Sequence, residues 1–380
     1  MSLLTPFGPL KDIPLDDVDQ LKEILVRSDK SRMLEGLVIE AVFNDYLSKL
    51  SGQGIEVLPI SLVMTLTEKT QPDLTKEYVK SWWMWDHSKD GQTATELLSL
   101  LAPRPHSKEF LLDCYYNAEE RDFYIKELGR MRNIPIQSYM LKKRGQSTPP
   151  FRIPSDSVID EHRSQQAFWA GISSQYGNDL FRNIVLYRLF KNCAIQPFFD
   201  GVWDIDSLAR LPDGKLMQLE VKHKYPRVEE SNGNLSFGIN NGQLSVMLDL
   251  AQRGIKTLHM IMVKPIWSKD LGTGYLLNRI GYSKNVLFLA KLLDVNTLRQ
   301  IQSGQSYQTG AEQSFTGRTG QKARYVDVSE FQFLGTLDDP VEDVARNISL
   351  AATGAPRIFY IHYSVKFFAV GLINSHESTL

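Results

Sequence analysis

Two short runs carry the residues able to do chemistry. They are Val202-Trp203-Asp204-Ile205-Asp206-Ser207-Leu208-Ala209-Arg210 and Leu219-Glu220-Val221-Lys222-His223-Lys224. Side chains alternate across a strand, so Gln218, Glu220, Lys222 and Lys224 share one face, while Met217, Leu219 and Val221 point into a core. The first run reads as the hairpin partner, with Asp204 and Asp206 on one face of their strand. Between the runs, Pro212-Asp213-Gly214 is a turn, its Asp-Gly step being a strong hairpin signal. Folding there brings the aspartates within reach of Glu220. Carboxylates gathered at that range repel one another unless a cation neutralises them. Hard oxygen ligands select Mg²⁺ or Mn²⁺ over zinc, and Mg²⁺ takes one or two carboxylates together with substrate phosphate oxygens. A lysine beside such an ion orients an attacking water or steadies transition-state charge. The set suits phosphodiester hydrolysis. The alternative is an amphipathic hairpin whose charged face is simply wet.

The elements that must position these residues follow from hydrophobic period and turn chemistry. Before residue 145 the pattern reads mostly helical. Leu21, Ile24 and Leu25 share a helical face, as do Leu34, Leu37, Val38, Ala41, Val42 and Leu50. A strand is expected over 55–64, and helices over 75–85, 93–101 and 109–130. The basic, proline-rich stretch from Lys142 to Pro154 suits neither helix nor sheet interior and reads as a linker. Beyond it helices and strands alternate, as in an α/β core. Expected there are a helix over 179–190, strands over 194–199, 202–210 and 215–224, a helix over 241–252 stopped by Gly254, and a buried strand over 256–263. Helices between 284 and 302, a polar loop over 303–325, a helix from Asp339-Pro340 to Gly354, and a last strand over 357–373 complete the reading. The implied division is a mainly helical N-terminal domain (1–145), a linker (146–160), a core (161–300) and a C-terminal extension packing on it (301–380).

Asp206, thirteen residues, and then Glu220-Val221-Lys222 resemble the D…(D/E)-x-K signature of the restriction-endonuclease-like, or PD-(D/E)xK, nucleases. The order of elements around them strengthens the likeness, as does Gln243, which opens the next helix where many members carry a glutamine. The resemblance covers roughly 165–265. It departs from the family at Ile205, where a proline often stands. It departs again at Asp179, Arg182 and Asn183, where some members carry a glutamate, which argues against a further metal ligand on that helix.

The resemblance implies an α/β fold, a mixed sheet flanked by helices. Asp206 and Glu220 would bind Mg²⁺, with Mn²⁺ as substitute and the Val221 carbonyl a further ligand. Lys222 would position the water, and Gln243 would support the lysine or contact the DNA backbone. Asp204 is either an accessory ligand or a solvated charge. The implied activity is that of a metal-dependent DNA endonuclease in restriction or anti-phage defence. A repair, recombination or signal-activated nuclease stands as the alternative, as does a non-cleaving nucleic-acid-binding protein of the same fold. Double-stranded DNA is the expected partner. One such site cuts one strand, so a homodimer is expected for a double-strand break.

Bulk properties leave this open. Forty-three Lys and Arg against 44 Asp and Glu give a net charge of -1, so any basic face must be local. Cys114 and Cys193 are too few for a disulfide framework or a four-cysteine zinc site and fit a reducing compartment. The first residues lack a signal-peptide pattern. The apolar runs at 258–263 and 367–373 fall short of the ~20 residues of a membrane helix. A cytoplasmic protein without membrane contact is therefore expected. Trp82, Trp83 and Trp85 read as core residues on a helix, and His259 as a satisfied core histidine. His223 follows the lysine on the opposite face. Gly317 to Lys322 lacks the ending of a phosphate loop, and Arg318, Lys322 and Arg324 lie in a loop that either orders on DNA or is solvated.

Overall fold

The computed structural model describes residues 1–28, 31–70, 76–87, 92–103, 109–126, 133–144, 180–199, 201–229, 233–268, 273, 275–276, 285–309 and 320–355. The chain is α/β, with mixed sheets flanked by helices. It forms two units, one from Met1–Ser31 and Pro59–Ile205, the other from Arg32–Leu58 and the described residues from Asp206 onward. Residues 32–58 thus join the unit that carries Glu220, although sequence order puts them with the N-terminal domain. The expected linker at 146–160 and the last strand over 357–373 lie outside the described residues.

The first unit is built on a six-stranded sheet. Its order is Asn133–Pro135, Asp122–Lys126, Glu109–Asn117, Lys76–Asp86, Ile60–Thr70 and Gly201–Ile205. The helices expected over 75–85 and 109–130 are strands instead, and the mainly helical reading gives way to this sheet. Trp82, Trp83, Met84 and Trp85 are all buried in succession, so the strand is covered on both faces and lacks the alternation that would reveal it. Trp83 Nε1 donates to Thr65 Oγ1 on the neighbouring strand at 3.0 Å. The tryptophans are core, as expected, but on a strand. The strand expected over 194–199 is helical. It continues the π turns Phe181–Val185 and Phe190–Ile195 around Leu186–Leu189 and ends in the 3-10 turn Gln196–Phe198, with Pro197 in its first turn.

The second unit contains α1 (Ser31–Ser48), β1 (Glu56–Leu58), β2 (Ser207–Arg210), β3 (Leu216–Lys224), β4 (Arg227–Val228), β5 (Leu235–Asn240) and α2 (Asn241–Ala251). Then come β6 (Lys256–Val263), β7 (Leu287–Leu293), α3 (Val295–Ser303), β8 (Tyr307–Gln308), β9 (Lys322–Asp327), β10 (Gln332–Thr336) and α4 (Val341–Ala352). Residues 287–293 form a strand where a helix was expected, because Leu287 to Ala290 are all buried and again carry no period. The expected loop over 303–325 contributes β8 and β9, and 310–319 lie outside the described residues.

The main sheet runs β10-β7-β6-β3-β2-β1, with β3 and β6 parallel and the other pairs antiparallel. The hairpin closes at the expected turn: Gly214 takes φ 82°, a left-handed conformation open to glycine, and its amide donates to the Leu211 carbonyl at 2.9 Å. Met217, Leu219 and Val221 enter a core with Phe43, Tyr46 and Leu47 of α1 and Val344 and Ile348 of α4. The opposite face is covered by Leu244 and Met247 of α2, Leu298 of α3, and Phe237 and Val326 of a second sheet, β4-β5-β9-β8. Asp327 caps the turn after β9, and Asp294 caps α3 by accepting from the Thr297 amide at 2.9 Å. Among the described residues no helix is long and apolar enough to cross a membrane. Cys114 and Cys193 are free and buried.

Candidate functional site

The single strand expected over 202–210 is broken at Asp206. Gly201–Ile205 pairs with Ile60–Thr70 in the first unit, whereas Ser207–Arg210 pairs with β3 in the second. Asp204 and Asp206 therefore do not share one strand face, because the chain changes sheets between them. Asp204 is ion-paired with the buried Lys191. It is a paired carboxylate rather than a solvated charge.

Asp206 stands one residue before β2. Ser207 registers with Leu219, so Asp206 comes level with Glu220. Its Oδ2 accepts from the Val221 amide at 3.0 Å and from Lys222 Nζ at 3.2 Å. Lys222 also pairs with Glu220. One ammonium thus bridges the two carboxylates, and it keeps 30 % of its own side-chain surface exposed. The Asp206, Glu220 and Lys222 side chains that the sequence singled out are brought together.

The polar face of β3 is nevertheless covered at Gln218 and Glu220. Glu220 is only 1 % exposed, under α2. Burying a carboxylate demands hydrogen bonds to its lone pairs. Gln243, in the first turn of α2, donates to Oε1, and Gln218 Nε2 donates to Oε2 at 2.8 Å. Thr257 Oγ1 holds Gln218 in place by donating to its Oε1 at 3.0 Å. Gln243 therefore belongs to the cluster by contact with the carboxylate. Gln218 and Thr257 were missed as members. The sequence signal for Gln218 is its parity with Glu220, whereas Thr257 enters as its register partner on the parallel strand β6, which the fold alone sets.

Lys224 is the next residue on this face. Its Nζ donates to the Gly238 carbonyl of β5 at 2.5 Å. Burial, reinforced by the Lys222 charge, lowers its pKa to about 8. His259 registers opposite Glu220 on β6 and is fully buried, yet among the described residues neither ring nitrogen has a hydrogen-bond partner. The expectation of a satisfied core histidine is thus corrected. Burial and then the Lys224 and Lys222 charges hold it neutral, well below the ordinary histidine range. His223, on the opposite face as expected, lies 2.8 Å from Tyr275 Oη through Nε2. Burial, helped by Lys264, lowers its pKa to about 3.

Among the described residues no three His, Cys, Asp or Glu side chains gather as a metal site. Asp206 and Glu220 supply the carboxylate oxygens at this point. Two carboxylates held around one ammonium match in number what Mg²⁺ takes from a protein while keeping waters and phosphate oxygens. Asp206 Oδ1 carries no hydrogen bond among the described residues. The residues fit a hard divalent cation in kind and number. No protein-family model, curated protein or solved structure matches the chain.

Proposed function

We propose that the protein is a metal-dependent nuclease hydrolysing phosphodiester bonds, with DNA as the leading substrate and a homodimer as the cutting form. The observation that carries this reading is the convergence of Asp206, Glu220 and Lys222, in a D…E-x-K spacing, at the end of a hairpin followed by α2 and the parallel strand β6. Asp206 and Glu220 would hold the ion, with the Val221 carbonyl beside them. Bound Mg²⁺ would supply Lewis-acid activation of water and of a phosphoryl oxygen. Lys222 directs an ammonium donor to the same point and is the residue to orient the attacking water. Gln243 and Gln218 donate to Glu220 and keep it aimed. The sequence resemblance suggests restriction or anti-phage defence as the setting, with repair or signal-activated cleavage as its alternative.

A second reading, a non-cleaving nucleic-acid-binding protein, is favoured by one observation. Lys222 already pairs with both carboxylates, so the cluster is partly compensated without an ion. Incubation with supercoiled plasmid in Mg²⁺ and in EDTA separates the two. The nuclease reading expects nicked or linear product in Mg²⁺ alone, lost in Lys222→Ala. Intact plasmid in both buffers favours the binding protein.

A further inference from the structure

The small sheet β4-β5-β9-β8 has an outer face that takes no part in the cluster around Glu220. Directly paired residues project to the same side of an antiparallel sheet. Arg227 pairs with Ser236, Gly238 with Tyr325, and Tyr307 with Ala323, so Arg227, Gly238, Tyr325 and Tyr307 share this face. Phe237 and Val326 project oppositely, into the core.

On that face the Arg227 guanidinium is clamped. Its Cζ lies 5.0 Å from the Tyr307 ring centroid and 4.9 Å from that of Tyr325, and the two rings meet edge to face at 5.7 Å. Gly238 gives the clamp room: a Cβ there would stand 3.2 Å from Tyr325 Cε1, and the ring would have to give by a few tenths of an ångström. Arg227 is exposed and has no carboxylate partner among the described residues, and Tyr307 is 37 % exposed. A guanidinium ordered by aromatic faces but not neutralised presents a preformed N–H fork to solvent. That geometry suits two oxygens of one anion.

We propose that this face is a docking platform for the phosphodiester backbone of a nucleic-acid strand, with Arg227 as its phosphate anchor and the tyrosines holding the anchor in place. The proposal rests on the nuclease reading for its choice of anion, because the platform continues the elements of that site. Arg227 follows Lys222 by five residues, which is no more than about 18 Å of extended chain. Lys224 Nζ bonds the carbonyl of Gly238 itself, and β5 runs directly into α2, which carries Gln243. A strand lying across Arg227 would hold a phosphate close to the Asp206 cluster.

The test is fluorescence anisotropy with a labelled single-stranded oligonucleotide and its duplex, in Ca²⁺ and over a salt series. Arg227→Ala should weaken binding by about tenfold, the worth of one charge-assisted contact. It should also lower the slope of log affinity against log salt by about 0.9 on duplex or about 0.7 on single strand. The strand type with the larger loss identifies the natural occupant. Arg227→Lys should keep the slope while losing part of the affinity, since it retains charge without the fork. If Arg227→Ala melts early, Arg227→Gln takes its place. In Mg²⁺ the same variants should raise KM with kcat kept. Unchanged affinity and salt slope in the Arg227 variants overturn the platform, even if wild type cleaves. Arg227-dependent binding by a wild type that never cleaves retains the platform and overturns the nuclease reading alone.

Discussion

The Val221 amide donates to Oδ2 of Asp206 at 3.0 Å, tying the side chain at the break between two sheets to the backbone between Glu220 and Lys222. This bond, rather than strand alternation, aims Asp206 at the cluster. It also means that Asp206 is held by the strand on which its partners stand.

Lys222→Ala removes the ammonium that both carboxylates share. Plasmid cleavage should fall by at least about 10²-fold, as for loss of one transition-state donor. The variant should also lose roughly 2 kcal/mol of metal-free stability, because Glu220 stays buried with less compensation. Mg²⁺ should then raise its Tm more than that of wild type, since the ion meets uncompensated charge. Thermal melts in EDTA and Mg²⁺ check this, and equal metal shifts in the two proteins count against Asp206 and Glu220 as ligands.

Asp206→Asn keeps an acceptor for the Val221 amide but removes the charge. The Mg²⁺-dependent rise in Tm should disappear, together with cutting. Metal-free stability should fall by about 1 kcal/mol, because the counter-charge that Lys222 loses outweighs the relief of a carboxylate repulsion the ammonium already screens. A full metal shift in this variant would falsify Asp206 as a ligand.

His223 contributes to the acid end of the pH profile, together with the buried His87 and His259, and Lys224 to the alkaline end. His223 titrates at about 3 in the fold against an ordinary 6.5, so between those values the unfolded chain binds more protons. Stability should therefore fall as pH drops from 6.5 towards 3. Lys224 titrates at about 8 against 10.5, so by the same sign stability should rise between pH 8 and 10.5. Urea denaturation across both windows, with His223→Gln and Lys224→Met, reads the contributions. Each variant should reduce the slope across its own window, and an unaltered slope in either sinks that assignment.

His259→Leu replaces a fully buried ring with two unpartnered nitrogens by an apolar group of similar reach. Stability should be unchanged or rise by up to about 2 kcal/mol, since the desolvated polar atoms gain nothing where they are. A clear loss in Tm shows instead that the ring is satisfied, for instance through bound water.

Asp206 and Gln243 became candidates through the family resemblance, whereas the alternation along 216–224, the Asp213-Gly214 turn, the bounds of α2 and β6, and the shared face of Glu220 and Lys222 were legible in the sequence itself. Each of the latter depends on geometry within a few residues, where side-chain parity and turn chemistry act directly. Other features were decided only by tertiary structure. The tryptophan strand and residues 287–293 are covered on both faces, and double burial erases the period that distinguishes a strand from a helix. Asp204 and Asp206 part company because their chain segment finds different partner strands, which alternation cannot foresee. Glu220 is buried because α2 closes over a face that is polar by pattern, and Gln218 joins it through its register with Thr257. Which face is covered, and by what, depends on residues far away in the chain, so only the assembled fold decides it.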